Sequence, residues 1–297
     1  MTLPDVTLAI AARNEPLLRA TVESAFSTRD GINLEVVIVD DGSDVDCVDG
    51  LSRMDNVTIF RSAQGVLHGA SVAKSYAIDR SRAYRTIVCD AHMRYPAGWL
   101  KAFVEAIDSN PRSLICCTST GYQEDSIKRL YGCKWEYSDK YKFIGPVWIQ
   151  KKPSESFVEV PALMGACYGF TRDTWDYLPG LPAVKGWGWL EAFLSASANL
   201  MGVPIYLLRD VVVGHKYRDK RPYHATAEET HHIRQTSIQI LFDDLRDEIQ
   251  RARYGKTFDD SILNEKGREQ RRKIMAHRVM TDQEWLTKNG LMGLLKK

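Results

Sequence analysis

The sequence predicts an α/β fold, a mostly parallel sheet flanked by helices and followed by a C-terminal helical appendix. Three observations carry that prediction. Short apolar runs alternate with stretches of helical spacing through the first half, as a parallel sheet with crossover helices requires. Two of those runs end in carboxylates, at Asp40-Asp41 and at Asp90, where open α/β sheets present ligand-binding side chains. From residue 227 the pattern changes to helical spacing with charges between the apolar positions.

The first strand is expected at 6–10 and leads into the loop Ala12-Arg13-Asn14-Glu15. Leu17, Leu18, Ala20, Thr21, Val22, Ala25 and Phe26 then follow helical spacing. Strands are expected at 35–39 and 57–60, the first running as Val36-Val37-Ile38-Val39 straight into Asp40-Asp41-Gly42-Ser43. A helix over 69–82, a strand over 85–89 and a helix over 97–108 come next, with Pro96 and Gly98 marking the start of the last. The strand at 114–118 completes the series. Segment 121–160 is rich in aromatics, among them Trp135, Tyr137 and Trp148, and reads as an irregular excursion: either an acceptor-binding wall or a loop packed by its own rings. Beyond 227, Ile238, Leu241, Phe242, Leu245 and Ile249 keep helical spacing until Gly255 ends the pattern. The charged run from Lys266 to Lys273, with Arg278 nearby, fits a solvated helix face or a contact with nucleic acid. This organisation divides the chain into a domain at 1–226 and an extension at 227–297.

Composition narrows the function classes only slightly. The 297 residues suffice for a full core, and 40 basic against 38 acidic residues leave a net charge of +2, from which no partner class follows. The first apolar run is followed at once by Arg13, Asn14 and Glu15, and no later run could span a bilayer, so a cytosolic protein with no membrane partner is expected. The cysteines at 47, 89, 116, 117, 133 and 167 lack C-x-x-C spacing and fit reduced thiols.

Asp90-Ala91-His92 closes the run at 85–89, and a carboxylate and an imidazole two residues apart at a strand end can both turn toward one cation. Alone, the motif is weak, since strand-end acids more often cap a following helix. Its neighbours add to it. The order A-A-R-N-E (residues 11–15), a strand ending V-D-D-G-S (39–43), a segment containing Gly65, D-A-H (90–92) and P-A-G-W-L (96–100) resembles glycosyltransferases of the GT-A fold, whose Rossmann-like sheet binds nucleotide-diphosphate sugars. Within that fold it is most similar to the polypeptide N-acetylgalactosaminyltransferases, which carry D-x-H followed by G-W-L. The resemblance continues through Val160-Pro161-Ala162-Leu163-Met164-Gly165-Ala166, at Lys185-Gly186-Trp187-Gly188-Trp189-Leu190-Glu191, and at residues 213–223, where V-G-H-x-x-R-x-x-x-P-Y is reproduced without a gap. It spans about residues 4 to 225.

The resemblance implies the following chemistry. Asp90, His92 and His215 would hold a divalent ion against the donor diphosphate; a mixed imidazole and carboxylate set suits Mn²⁺ better than Ca²⁺, and Mg²⁺ is also compatible. Arg218 and Tyr223 would contact the diphosphate, guanidinium being suited to paired hydrogen bonds with phosphate. Asp41 would accept from the nucleotide base, flanked by Ala11, Ala12 and Arg13, with Glu15 and Gly65 in the same crevice, Gly165 and Ala166 beside the sugar, and Trp187 as a wall. Glu191 would serve the acceptor as general base or as anchor. Two departures stand out: Ala63-Gln64-Gly65-Val66-Leu67-His68-Gly69-Ala70 lacks the three arginines of the family's R-x-G-L-x-R-x-R block, and Glu191 is shifted one position from the family's acid.

No anchor or lectin-like segment is legible, so a secreted mucin-type acceptor is not expected. The leading acceptor is a hydroxylated base in DNA, with a cytosolic glycan or protein beside it, because the basic tail and the aromatic segment suit an extruded base and its phosphates. The competing reading from another class is a degenerate module that binds nucleotide or nucleic acid without turnover. A nucleotidyltransferase is disfavoured, since no G-x-G-x-R-type loop lies near the N-terminus.

Overall fold

A computed structural model describes residues 3–63, 66–123, 128–138, 143–186, 188–218 and 226–296. In chain order the elements are β1 (Val6–Ala12), α1 (Leu18–Ser27), β2 (Leu34–Asp40), β3 (Val57–Arg61), α2 (Ala70–Asp79), β4 (Arg85–Asp90), β5 (Met93–Arg94), α3 (Trp99–Ser109) and β6 (Leu114–Gly121). There follow β7 (Cys133–Ser138), β8 (Phe143–Trp148), β9 (Phe157–Glu159), β10 (Cys167–Thr171), α4 (Arg172–Tyr177), α5 (Leu190–Leu200) and β11 (Ile205–His215). Four helices close the chain: α6 (Ala227–Leu241), α7 (Arg246–Tyr254), α8 (Glu265–His277) and α9 (Asp282–Lys288). Every strand expected from the sequence is present, and so are the three helices between them.

Among the described residues nine strands form one sheet in the order β3-β2-β1-β4-β10-β6-β11-β5, with β9 also paired to β11. Strands β3, β2, β1 and β4 run parallel, β10 lies antiparallel between β4 and β6, and β11 runs parallel to β6. β2 is buried at all seven positions, Glu35 and Asp40 included, and its centre Val36-Val37-Ile38-Val39 reads as an apolar run, as in a strand covered on both faces. The parallel register places the carboxyl ends of β1, β2 and β4 at one edge, with Ala12 opposite Asp40 and Ala11 opposite Asp90. β11 delivers His215 to the same edge through its pairing with β5, where His215 stands opposite Met93.

The 121–160 segment corrects the expected irregular excursion. It holds the hairpin β7–β8, in which Cys133 pairs with Trp148 and Trp135 with Pro146, and then β9. The signal was an alternation of period two: Cys133 and Trp135 are buried while Lys134 and Glu136 are exposed. The rings do not pack only on one another. Trp135 meets Trp189 at 6.3 Å and Trp285 at 5.1 Å between centroids.

The C-terminal residues are helical as expected, but in two pieces where the spacing suggested one. The chain turns after α6 because the Asp282 carboxylate accepts from the backbone N–H groups of Asp243 and Leu245, and Gly255, at φ +69°, then ends α7. Ile233, Ile238, Leu241, Phe242, Ile249, Ile274 and Trp285 are buried, and all but Ile233 belong to the same apolar cluster as the sheet. The charged run of α8 mostly fastens the molecule to itself. Arg271 donates to the Gln239 and Phe242 carbonyls and pairs with Asp243, Lys273 donates to the Leu178 carbonyl, and Arg278 pairs with Asp282. Among the described residues no helix is long and apolar enough to cross a membrane.

Candidate active site

The strand ends meet in a cluster of three potential ligands. Asp90 Oδ2, His92 Nε2 and His215 Nε2 come together, with the two imidazole nitrogens 3.1 Å apart and His215 Nε2 3.3 Å from Asp90 Oδ2; the ligand atoms all lie within 4.8 Å of one another. Adjacent corners of an octahedron with bonds of roughly 2.2 Å lie about 3.1 Å apart, a bond length between the magnesium and calcium ranges. The donor set therefore fits a six-coordinate divalent cation. The backbone of the Asp90–His92 turn is braced on several sides: Asp90 N–H donates to the Ala166 carbonyl at 2.9 Å, Thr21 Oγ1 donates to the Ala91 carbonyl and accepts from Met93 N–H, and Lys216 N–H donates to the His92 carbonyl.

Glu15 decides which nitrogen His92 offers. Its Oε2 lies 3.0 Å from His92 Nδ1, so the proton belongs on Nδ1 and the lone pair on Nε2, facing the cluster. The other oxygen accepts from Arg218 at 2.6 Å. Burial by itself would raise the Glu15 carboxyl, but the bonds from His92, the Leu17 N–H and Arg218 hold it below its ordinary value. For His215 the buried Nδ1 has no hydrogen-bond partner.

Behind the cluster stands a buried cation, Lys74 of α2. Its ammonium is 3.1 Å from Asp90 Oδ1 and 2.7 Å from Glu191 Oε1. Burial alone would lower the lysine and raise the aspartate. The mutual attraction wins on both sides, keeping Lys74 protonated well above its ordinary value and Asp90 ionised well below its own, with His215 and His92 assisting. Glu191 is the one residue of α5 that is not fully buried. Its carboxyl lies over Gly165, where an added Cβ would come within 2.9 Å of it, so a side chain at 165 would displace the acid. Trp189, just before α5, takes a left-handed φ of +62°, uncommon for a bulky residue.

The structure thus gathers Asp90, His92, His215, Glu15, Arg218, Glu191, Gly165 and Ala166 in one region. Ala12 accepts from Asp41 N–H at 2.9 Å, and Ala11 and Arg13 flank it in the chain. Asp41 already accepts from the backbone N–H groups of His68 and Gly69, each at 2.9 Å, so it pins the loop before α2 as well as facing the crevice. Gly65, Trp187 and Tyr223 lie outside the described residues. Sequence reading missed Lys74, although a signal existed: it falls on the stripe Ala70, Ala73, Ala77 and Ile78 that turns inward from α2. Nor does the sequence show that Glu15 pairs with His92, because the two lie 77 residues apart.

Residues 7–173 match the glycosyl transferase family 2 signature. The chain is 22% identical over 248 residues to polypeptide N-acetylgalactosaminyltransferase 11 of Xenopus tropicalis, covering 74% of this chain and 39% of that protein. It therefore spans about two-fifths of the length of that curated relative. Among solved structures, GalNAc-T7 with UDP, GalNAc and Mn²⁺ superposes with a TM-score of 0.78 at 16% identity, over 97% of this chain and 57% of the other. S. aureus TarS (residues 1–349) in complex with UDP-GlcNAc gives 0.59 at 15% identity, over 82% and 70%. The mannosyltransferase PcManGT of Pyrobaculum calidifontis, with GDP-Man and Mn²⁺, gives 0.51 at 16% identity, over 92% and 69%. The sheet order and these superpositions make the fold that of GT-A transferases, and with more than half of its residues matched to the signature the chain belongs to glycosyl transferase family 2.

Proposed function

We propose that the protein is a metal-dependent glycosyltransferase that moves a sugar from a nucleotide-diphosphate sugar, most simply a UDP-sugar, to an acceptor hydroxyl. The observation that carries this reading is the meeting of Asp90 Oδ2, His92 Nε2 and His215 Nε2 beside the Lys74–Glu191 pair. The UDP and Mn²⁺ of GalNAc-T7 and the UDP-GlcNAc of TarS support it. A bound Mn²⁺, or Mg²⁺ in its place, would neutralise the charge that the diphosphate gains as the glycosyl bond breaks. Asp90, His92 and His215 would hold that ion, and Glu15 keeps His92 in the tautomer that can. Arg218 is poised to exchange its bond with Glu15 for the diphosphate, to which guanidinium donates in pairs. Lys74 holds Asp90 and Glu191 in place through its two ion pairs, and Glu191, with Oε1 on Lys74, keeps Oε2 to accept from a hydroxyl. Trp187 and Tyr223 complete the donor pocket in this reading.

For the acceptor, the reading is a hydroxylated base in DNA. Its support comes from the hairpin and not from the C-terminal charges, most of which are engaged within the protein. Exposed Trp148 packs on Tyr217, which packs on His215, so a ladder of rings leads from the surface to the metal ligands. Lys128, Arg129, Lys134, Lys151, Lys152 and Lys216 are exposed in the segments that carry it. Stacking surface beside cations suits a flipped base and its phosphates.

The test is a panel of UDP-, GDP- and dTDP-sugars, with Mn²⁺ and with chelator, on the wild type and Asp90→Ala. Metal-dependent turnover of one donor, lost by about a hundredfold or more in the variant, is the expected result. Binding without turnover under every condition, or no binding, removes the transferase reading. The active donor is then offered to hydroxymethylated DNA, glycans and proteins, and labelling of a glycan or protein but not DNA removes the DNA reading alone.

A further inference from the structure

Between α4 and α5 the described residues 178–186 and 188–189 form no helix or strand, and Pro179 and Pro182 contribute no N–H, yet Pro179, Leu181, Pro182 and Val184 are buried. Buried backbone without a ladder must find partners elsewhere. Here they come from helix α8, more than 80 residues downstream. Gln270, 3% exposed, uses its whole amide on this segment: Nε2 donates to the carbonyls of Pro179 at 2.9 Å and Leu181 at 2.7 Å, and Oε1 accepts from Ala183 N–H at 3.1 Å. Asn264, which caps α8 by accepting from Gly267 N–H, donates to the Ala183 carbonyl at 2.6 Å, and Lys273 donates to the Leu178 carbonyl at 2.9 Å.

The opposite side of the segment is held by α2. Ser71 Oγ donates to the Pro182 carbonyl, and Ala70 N–H donates to the Gly186 carbonyl at 3.2 Å. Helix α6 closes the third side, since a Cβ at Gly186 would come within 3.2 Å of Glu229 and Ile233, and one at Gly188 within 3.3 Å of Thr230. Three helices therefore grip the chain just before Trp189 turns left-handed and Glu191 begins α5 against Lys74.

We propose that Gln270 is a positioning residue for glycosyl transfer, fixing the 178–189 segment and through it the place of Glu191. The C-terminal helices are then a part of the catalytic apparatus rather than an appendix. The inference rests on the reading of Glu191 as a group that serves the reaction. An amide is suited to the task because it presents two donors and an acceptor in one plane; methionine, of similar shape, would leave three buried backbone groups unpaired.

The experiment compares Gln270→Met and Asn264→Ser with the wild type, all full length. Serine can still cap α8 but cannot donate to the Ala183 carbonyl, so this second variant keeps the helix and loses one grip. Three quantities are read: kcat for the donor and acceptor identified above, the Mn²⁺ dissociation constant by calorimetry, and deuterium uptake by residues 178–189. The expected result for Gln270→Met is a fall in kcat of about tenfold or more, Mn²⁺ affinity within about threefold, and faster exchange in 178–189, with Asn264→Ser smaller in the same direction. Faster exchange with unchanged kcat in either variant overturns the inference, as does a kcat loss that Mn²⁺ affinity follows equally, which would mark a general structural defect. A wild type that turns over no donor defeats the transferase reading and this inference with it, whereas an active wild type with equally active variants defeats this inference alone.

Discussion

Asp90, His92 and His215 stand at the ends of strands whose register is fixed by their neighbours, whereas Glu191 stands after a segment of no regular structure that three distant helices hold in place. The first arrangement is set by strand register, even though His215 lies 125 positions from Asp90. A strand end and a two-residue spacing set two of the ligands, and one further strand brings the third. The second depends on contacts that no strand pairing makes, such as those of Gln270 with Pro179 and of Glu229 with Gly186. Lys74 joins the two, with one bond to each side. The strand register places the Asp90–His92–His215 corner, which Glu15, Lys74 and Thr21 then brace, while the acid opposite it is only as well placed as the helices that grip its approach.

The largest effect is expected at the junction. Lys74→Met leaves Asp90 and Glu191 without their common cation, and breaking a buried pair by removing one partner costs several kcal/mol; the side chains of both acids retain some exposure, 29% and 20%, so a loss of about 3 kcal/mol is expected. Urea unfolding checks it, and Lys74→Arg should recover most of the loss. A Lys74→Met variant as stable as the wild type would mean that the two sides are not coupled through this ammonium.

A smaller effect, confined to the metal corner, is expected for Glu15→Gln. The amide can still accept from His92, but it lacks the charge that makes the ring a better ligand, and such outer partners are worth about tenfold or more in metal affinity. Calorimetric titration with Mn²⁺ reads it directly, and exchange at 178–189 should not move. An unchanged dissociation constant would remove Glu15 from the orienting role.

The smallest effect concerns acid. Glu15 and Asp90 are held below their ordinary values of 4.5 and 3.8 in the folded metal-free protein, so each binds protons less readily there than in the unfolded chain. Their contribution to stability is complete above those ordinary values and is lost as pH falls toward the folded ones. Between pH 5 and pH 3 the urea midpoint of the metal-free wild type should therefore fall more steeply than that of Glu15→Gln. Parallel curves would show that Glu15 does not gain its partners on folding.

Much of the fold was legible because its carriers are local. The strands at 6–10, 35–39, 57–60, 85–89 and 114–118 are runs of consecutive apolar residues, and their helices show as spacing within a dozen positions. The strands 133–138 and 143–148 are less legible because each offers only six residues of alternation, and the kink between α6 and α7 because its cause, Asp282, lies some 40 residues away. Within the site, motif and spacing point to Asp90, His92 and His215 as candidate ligands, and the structure brings the three together. Lys74 was readable in principle from its place on the inward stripe of α2.

What the sequence by itself determined is the order of the elements, the parallel sheet and the presence of carboxylates and imidazoles at its strand ends, since these follow from short-range periodicity and residue chemistry. The tertiary structure alone decided the pairing of Glu15 with His92 and Arg218, the bridge of Lys74 between Asp90 and Glu191, and the capture of 178–189 by Gln270. Each of these joins residues on different elements across a buried space. No local pattern encodes them, because the partner of a buried charge or an unpaired carbonyl is chosen by which groups packing brings within about 3 Å.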